Sequence, residues 1–144
     1  MTRPVPGLAI EQQPEAVVRR MLAYGEARSE GPRGVLAVVT VLQARGRRWK
    51  RTDRHEALRP LQFSCFNDDD PNRAKLLTAF KDDPQTWAMV DAVCTLFEQG
   101  CTLDPTLGAD HYYVEGQVAP PWGAGHPGWK DHGKIGRHRF GVAA

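Results

Sequence analysis

The chain has 144 residues, of which 41% are hydrophobic and 25% charged, proportions that suit one globular domain with a core of its own. Its 19 Lys+Arg against 17 Asp+Glu leave a formal net charge of +2, too balanced to argue for a nucleic-acid partner. No stretch approaches the ~20 apolar residues of a membrane span, and three cysteines without a Cys-x-x-Cys pair support neither a disulfide framework nor a thiolate metal site.

Residues 1–13, with Pro4, Pro6 and Gly7, show little periodicity and read as an N-terminal arm. They lack the apolar core of a signal peptide, so synthesis in the cytoplasm is expected. Pro14 and Glu15 suit a first helical turn. Ala16, Val17, Met21 and Leu22 recur at helical spacing, which predicts a helix ending near Ala27 or Arg28, before the turn Ser29-Glu30-Gly31-Pro32. Residues 33–44 are nearly all apolar. Their β-branched content suits a buried strand, but twelve residues exceed the usual strand, and we read a buried helix.

The basic run Arg45, Arg47, Arg48, Lys50, Arg51 and Arg54 and the acidic run Asp68, Asp69 and Asp70 read as solvated loops. Asp70-Pro71 resembles an N-cap followed by proline, opening a helix through Phe80. Trp87, Val90, Val93, Cys94 and Phe97 mark another helix from about Pro84 to Gln99, with Gly100 as its stop. Beyond Cys101, glycine, proline, histidine and aromatics dominate. A stretch of that length without helical period is unusual in a compact domain unless it builds a binding site. The expected architecture is mostly α, with an irregular, aromatic-rich C-terminal region wrapped over the helices.

Glu26 and Glu30 flank the end of the first predicted helix. A carboxyl there faces the negative pole of the helix dipole, which disfavours ionisation, and burial acts in the same direction. A carboxylic acid held protonated near neutral pH is what protonation of a glycosidic oxygen requires. The same spacing also suits two solvated glutamates beside Arg28. His111, Tyr112, Tyr113, Trp122, Trp129, His138 and Phe140 could stack on sugar rings and hydrogen-bond their substituents, or could fill a core short of aliphatics. His126, His132 and His138 with Asp110 and Asp131 invite a zinc reading, but none forms the i, i+4 helical pair of zinc peptidases. Cys65 lies in no recognisable nucleophile motif, so a thiol peptidase is an alternative without support from its neighbours.

Four segments together resemble the spore-cortex-lytic (SleB-type) cell wall hydrolase family, which is related to lytic transglycosylases. They are Tyr24-Gly25-Glu26-Ala27-Arg28-Ser29-Glu30-Gly31 with the apolar run after it, Pro60-Leu61-Gln62-Phe63-Ser64, Asp104-Pro105-Thr106-Leu107-Gly108-Ala109-Asp110-His111-Tyr112-Tyr113, and Trp122 with Lys134-Ile135-Gly136-Arg137-His138-Arg139-Phe140. Ser29 stands where the family usually has glycine, and Gln43-Ala44 where it commonly has Asn-Arg.

The resemblance implies a lysozyme-like helical domain over residues 14–144. It also implies cleavage of the MurNAc-β-1,4-GlcNAc bond of peptidoglycan, with Glu26 as the single acid/base. Glu30 is then the candidate second carboxylate, and Gln62, Ser64, Tyr112, Tyr113, Trp122 and His138 the candidate glycan-binding residues. No metal and no cofactor are called for, the expected partner is the glycan strand, and a monomer is expected. The expected place of action is the cell wall or periplasm, with a phage or prophage lysin as one delivery route. A wall-binding or virion structural protein is the non-enzymatic alternative.

Overall fold

The computed structural model describes residues 1–60 and 62–144; Leu61 of the second family-like segment lies outside them. Helix α1 (Glu15–Ala27) is buried along most of its length and runs through the middle of the helical body. Its core face, with Val18, Met21 and Leu22 fully buried, is that expected from the 3–4 spacing. Two arginines on the same helix are buried as well. Arg20, 1% exposed, donates from Nε to Asp91 at 2.7 Å and from Nη2 to Glu98 at 2.9 Å, and Arg19 reaches Asp53 at 2.9 Å. Buried guanidiniums are tolerable only when paired in this way, and these pairs fix the angular setting of α1 against its neighbours.

Residues 33–44 lie within helix α2 (Gly31–Trp49), opened by proline in its first turn and closed by Lys50 in a left-handed conformation. Val35, Val38, Val39 and Leu42 enter the main core, while Ala37 and Val41 form a second one with Ala109, Ile135 and Phe140. A helix buried on two faces explains a run whose periodicity is hard to read. The basic run is not a solvated loop. Its first half completes α2, and four of its arginines have partners: Arg45 and Arg51 on the buried Glu56, Arg48 on Asp110, and Arg54 on the carbonyl of Gln13. Glu56 belongs to the short helix α3 (Asp53–Ala57), whose N-cap Thr52 accepts from the His55 amide at 3.1 Å.

The continuous helix expected from Asp70 to Phe80 is absent. A 3-10 segment (Ala74–Leu77) and a single turn, α4 (Ala79–Asp82), stand in its place. Asp70 Oδ1 accepts from the Asn72 amide as an N-cap does, but the backbone bonds that follow run three residues back, from Arg73 to Asp70, Lys75 to Asn72 and Leu76 to Arg73, so the segment stays in turns. Helix α5 (Pro84–Glu98) follows expectation, with Asp83 as N-cap and Trp87 fully buried. The indole of Trp87 donates to the Thr2 carbonyl at 3.0 Å, and the Gln13 side chain holds the backbone of Val5 and Leu8. The arm is therefore fastened to the helical body.

The C-terminal region is less irregular than its composition suggests. Strands β1 (His111–Val114), β2 (Lys130–Ile135) and β3 (His138–Val142) form an antiparallel sheet in the order β1-β3-β2. Gly136-Arg137 makes the two-residue turn between β2 and β3, Gly136 taking φ +57° as such a turn demands. The sheet packs Ile135 and Phe140 onto α2, and this contact delivers β1 to the mouth of the cleft described next.

Candidate active site

Glu26 lies in the last turn of α1 and lines a cleft of about 250 Å³ shared with Arg45, Gln62, Ser64, Asn67, Tyr112 and Trp122. Four elements meet there: α1 brings Glu26, α2 brings Arg45, residues 62–67 form the floor, and β1 supplies Tyr112. Gly25 makes the meeting possible. A Cβ at that position would lie 2.6 Å from Cys65 Cβ and 2.8 Å from its Sγ, so only glycine admits the 3-10 segment Ser64–Phe66 against α1.

Oε1 of Glu26 is shielded from solvent and has no hydrogen-bond partner, and the hydroxyl of Tyr112 is in the same state. Such orphaned polar atoms are uncommon in folded proteins, and here two of them belong to residues that line one cleft. Burial pushes the Glu26 carboxyl above the usual range. The amide and thiol of Cys65 oppose the rise, and the negative charge of Asp70 adds to it. Burial likewise pushes the Tyr112 phenol well up, with the Glu26 charge as a further cause. The site therefore holds a carboxylic acid biased towards its protonated form beside a neutral phenol.

Glu30 has a different setting. It is absent from the cleft lining, its side chain is 5% exposed, and it receives Arg137 Nε at 2.9 Å and the Arg137 amide at 3.2 Å. Burial raises its carboxyl, but the bonds from Arg137 outweigh this and hold it below the usual range. Gly136 is matched to it, since a Cβ there would stand 2.0 Å from Glu30 Oε2. The geometry makes Glu30 a clamp that ties the β2–β3 turn to the junction of α1 and α2.

Of the residues expected to bind glycan, Gln62, Ser64, Tyr112 and Trp122 line the cleft, whereas Tyr113 and His138 do not. Strand alternation separates the two tyrosines. Tyr112 faces inward on Phe140 and His138, at ring separations of 5.4 and 5.0 Å, while Tyr113 packs outward against Trp122 and Trp129. His138 is buried behind Tyr112 and 3.6 Å from Glu30, with burial holding its pKa down, so it supports the wall of the cleft.

Three cleft residues, Arg45, Phe63 and Asn67, were not among the expected site residues, Phe63 having been read only as part of the second family-like segment. Asn67 carried no signal. Arg45 was grouped with the basic run, although it continues the buried stripe Val38, Val41, Leu42 at helical spacing. Its guanidinium donates to Glu56 at 3.0 Å, contacts the Gln62 side-chain oxygen and lies 5.1 Å over the Phe63 ring. The pairing orients Gln62 and leaves no bare charge in the cleft.

Among the described residues, no group of three or more His, Cys, Asp and Glu is placed to hold a metal ion. His126 binds the Gly128 amide and His132 the Thr106 carbonyl, far apart in role from His138. The Cys65 thiol is pushed well up by burial and by Glu26, opposite to what a thiol nucleophile needs. No described helix is long and apolar enough to cross a membrane.

Fold and site together define a mostly α domain carrying a buried carboxyl with one oxygen unpartnered in a cleft. No family model and no curated protein matches the chain. Among solved structures it is similar to the catalytic domain of the germination-specific lytic transglycosylase SleB from Bacillus anthracis. The TM-score is 0.63 at 19% identity, over 95% of this chain and 98% of that one. It is also similar to the catalytic domain of the Bacillus cereus SleB protein, at 19% identity over 98% and 97% of the two chains, with a TM-score of 0.47. The first likeness establishes the fold: this chain shares the lysozyme-like, mostly α architecture of the SleB catalytic domain.

Proposed function

We propose that the protein cleaves the glycan strands of peptidoglycan at the MurNAc-β-1,4-GlcNAc bond, as a lytic transglycosylase with Glu26 as its only acid/base. The observation that carries this reading is the buried Glu26 carboxyl, raised in pKa and with its Oε1 unpartnered, in a cleft lined by amide, hydroxyl and aromatic groups. The fold shared with a lytic transglycosylase domain supports it.

In this scheme protonated Glu26 gives its hydrogen to the O4 atom of the departing GlcNAc as the bond to MurNAc C1 breaks. The positive charge at C1 is relieved by the acetamido oxygen or directly by the C6 hydroxyl of the same sugar. Ionised Glu26 then takes the C6 hydroxyl proton, O6 bonds to C1, and a 1,6-anhydro end forms while Glu26 regains its starting state. Because one carboxyl serves both steps, the second carboxylate of two-carboxylate glycosidases has no part. Gln62, Ser64 and Asn67 offer hydrogen bonds to acetamido groups, and Trp122 an aromatic face. The Tyr112 phenol, in the same cleft and near enough to feel the Glu26 charge, offers a donor to the substrate.

Glu26→Gln tests the assignment. The variant folds with an unchanged circular dichroism spectrum and releases no soluble fragments from sacculi. Mass spectrometry of wild-type digests finds anhydro MurNAc ends; reducing ends in their place would replace the transglycosylase with a hydrolase, and lysis by the variant would remove Glu26 from its role.

A further inference from the structure

Beside the Glu26 cleft lies a second and larger cavity, of about 410 Å³, that shares Asn67 with it. The segment between α3 and the Ala74–Leu77 turn walls both, and Glu11 of the N-terminal arm closes the far side. Its character differs from that of the cleft. Arg59 and Arg73 bring positive charge, Asp68 and Asp69 negative, and Leu58 and Phe66 an apolar floor.

The charges are held unequally. Arg73 is tied to the Phe66 carbonyl at 2.8 Å and to Glu11, and Arg59 reaches Glu56 at 3.2 Å. Glu56 already receives Arg45 and Arg51, so three guanidiniums share one carboxylate and Arg59 keeps donors to spare. The side chain of Asp68 is 99% exposed, and its one ionic contact is 3.7 Å from Arg73. A cavity with an apolar floor and fixed charges of both signs suits a short zwitterionic peptide better than a neutral sugar.

Resting on the glycan-cleaving function proposed above, we infer that this cavity takes the peptide stem carried by a MurNAc residue seated in the adjoining cleft. The stem leaves MurNAc through its lactyl ether, so a sugar held at Asn67 directs it out of the cleft and into the neighbouring space. Stem carboxylates then meet Arg59 and Arg73, and a stem ammonium meets Asp68 and Asp69. The enzyme on this account reads peptide-substituted strands, and the N-terminal arm, through Glu11, belongs to its substrate site.

The test compares intact glycan strands with strands whose stems have been removed by an amidase, using the wild type and the Asp68→Asn/Asp69→Asn double variant. Both replaced side chains are surface groups, and equal melting temperatures of the two proteins confirm that the fold is kept. The wild type is expected to cleave stem-bearing strands roughly fivefold faster, the scale of a screened ion pair at its upper end. The double variant loses much of this advantage while its rate on stripped strands stays at the wild-type value, and acetylation of the stem amines reproduces the loss in the wild type. Equal wild-type rates on the two substrates would overturn the inference and leave glycan cleavage standing. Equal loss by the variant on both would also overturn it. Absence of products from either substrate would overturn the cleavage reading and this one together.

Discussion

Replacing Gly25 by alanine probes how the Glu26 environment is built. The new Cβ would lie 2.6 Å from Cys65 Cβ, about 0.8 Å short of the 3.4 Å at which ordinary contact begins. Gly25 is inside α1, where alanine gains about 1 kcal/mol of helix propensity over glycine. Overpacking a core contact costs about 1–3 kcal/mol, so the net loss of stability is expected between nothing and about 2 kcal/mol. Activity should fall much further. The cheapest relief is a shift of residues 64–66 away from α1 by most of an ångström, which withdraws the cleft floor from Glu26, and a displacement of that size costs on the order of a hundredfold in rate. Urea melts and dye release from labelled sacculi measure the two quantities. Cys65→Gly in the Gly25→Ala background removes both close contacts and should restore part of the rate, whereas Cys65→Ala leaves the Cβ contact and should not. Gly25→Ala with wild-type stability and wild-type rate would refute the argument that this close approach positions Glu26.

Three further outcomes are expected. Because the folded pKa of Glu26 is raised, the native state binds more protons than the unfolded chain at pH values from the unfolded pKa up to the folded one. Its contribution to stability is therefore complete below the unfolded pKa and is lost as pH rises through the folded pKa. Urea melts across pH 4–8 should show Glu26→Gln lacking this decline, and the wild-type rate should fall over the same rising limb as the acid ionises. Tyr112→Phe removes a buried hydroxyl without a partner; stability should hold or rise by up to about 1 kcal/mol while kcat drops with little change in KM, a split that steady-state kinetics resolves. Glu30→Gln weakens the hold on Arg137, which is itself 69% exposed, so the loss should be about 1 kcal/mol or less, with most of the activity kept. The depressed Glu30 pKa gives the opposite pH sign from Glu26: its contribution is present above the unfolded value and disappears as pH falls through the folded one.

How far the sequence reached depended on whether a residue's role is local. Helices α1 and α5 open on a proline with a periodic apolar set behind it, α5 with Asp83 as its cap as well, and both follow the periodicity. Helix α2 defeats periodicity because it serves two cores at once. The run after Asp70 was misjudged because a cap signal marks only an entry, and the backbone bonds after it close turns three residues long in place of α-helical ones. In the C-terminal region the signal was present and unread. Tyr112 and Tyr113 are adjacent in an extended segment and must face opposite ways, so they could never share one groove. Arg45 was legible in the same sense, as the next member of a buried helical stripe. The larger cavity was not legible at all, since its walls come from Glu11, residues 58–60 and residues 66–73, and only folding brings them together.

Glu26 and Glu30 show why spacing alone could not assign the acid. They are four residues apart at one helix end, and burial acts on both in the same direction. The difference is what each carboxyl meets. Glu30 is answered by a guanidinium and an amide from the β2–β3 turn, which stabilise its charge and use up its oxygens. Glu26 is met by the amide and thiol of Cys65, neither of which supplies a cation. The guanidinium that lines the same cleft, Arg45, is bonded to Glu56 and Gln62. One glutamate is thus kept ionised to hold the sheet in place, and the sheet so held presents Tyr112 to the other, whose proton stays available because no cation claims it.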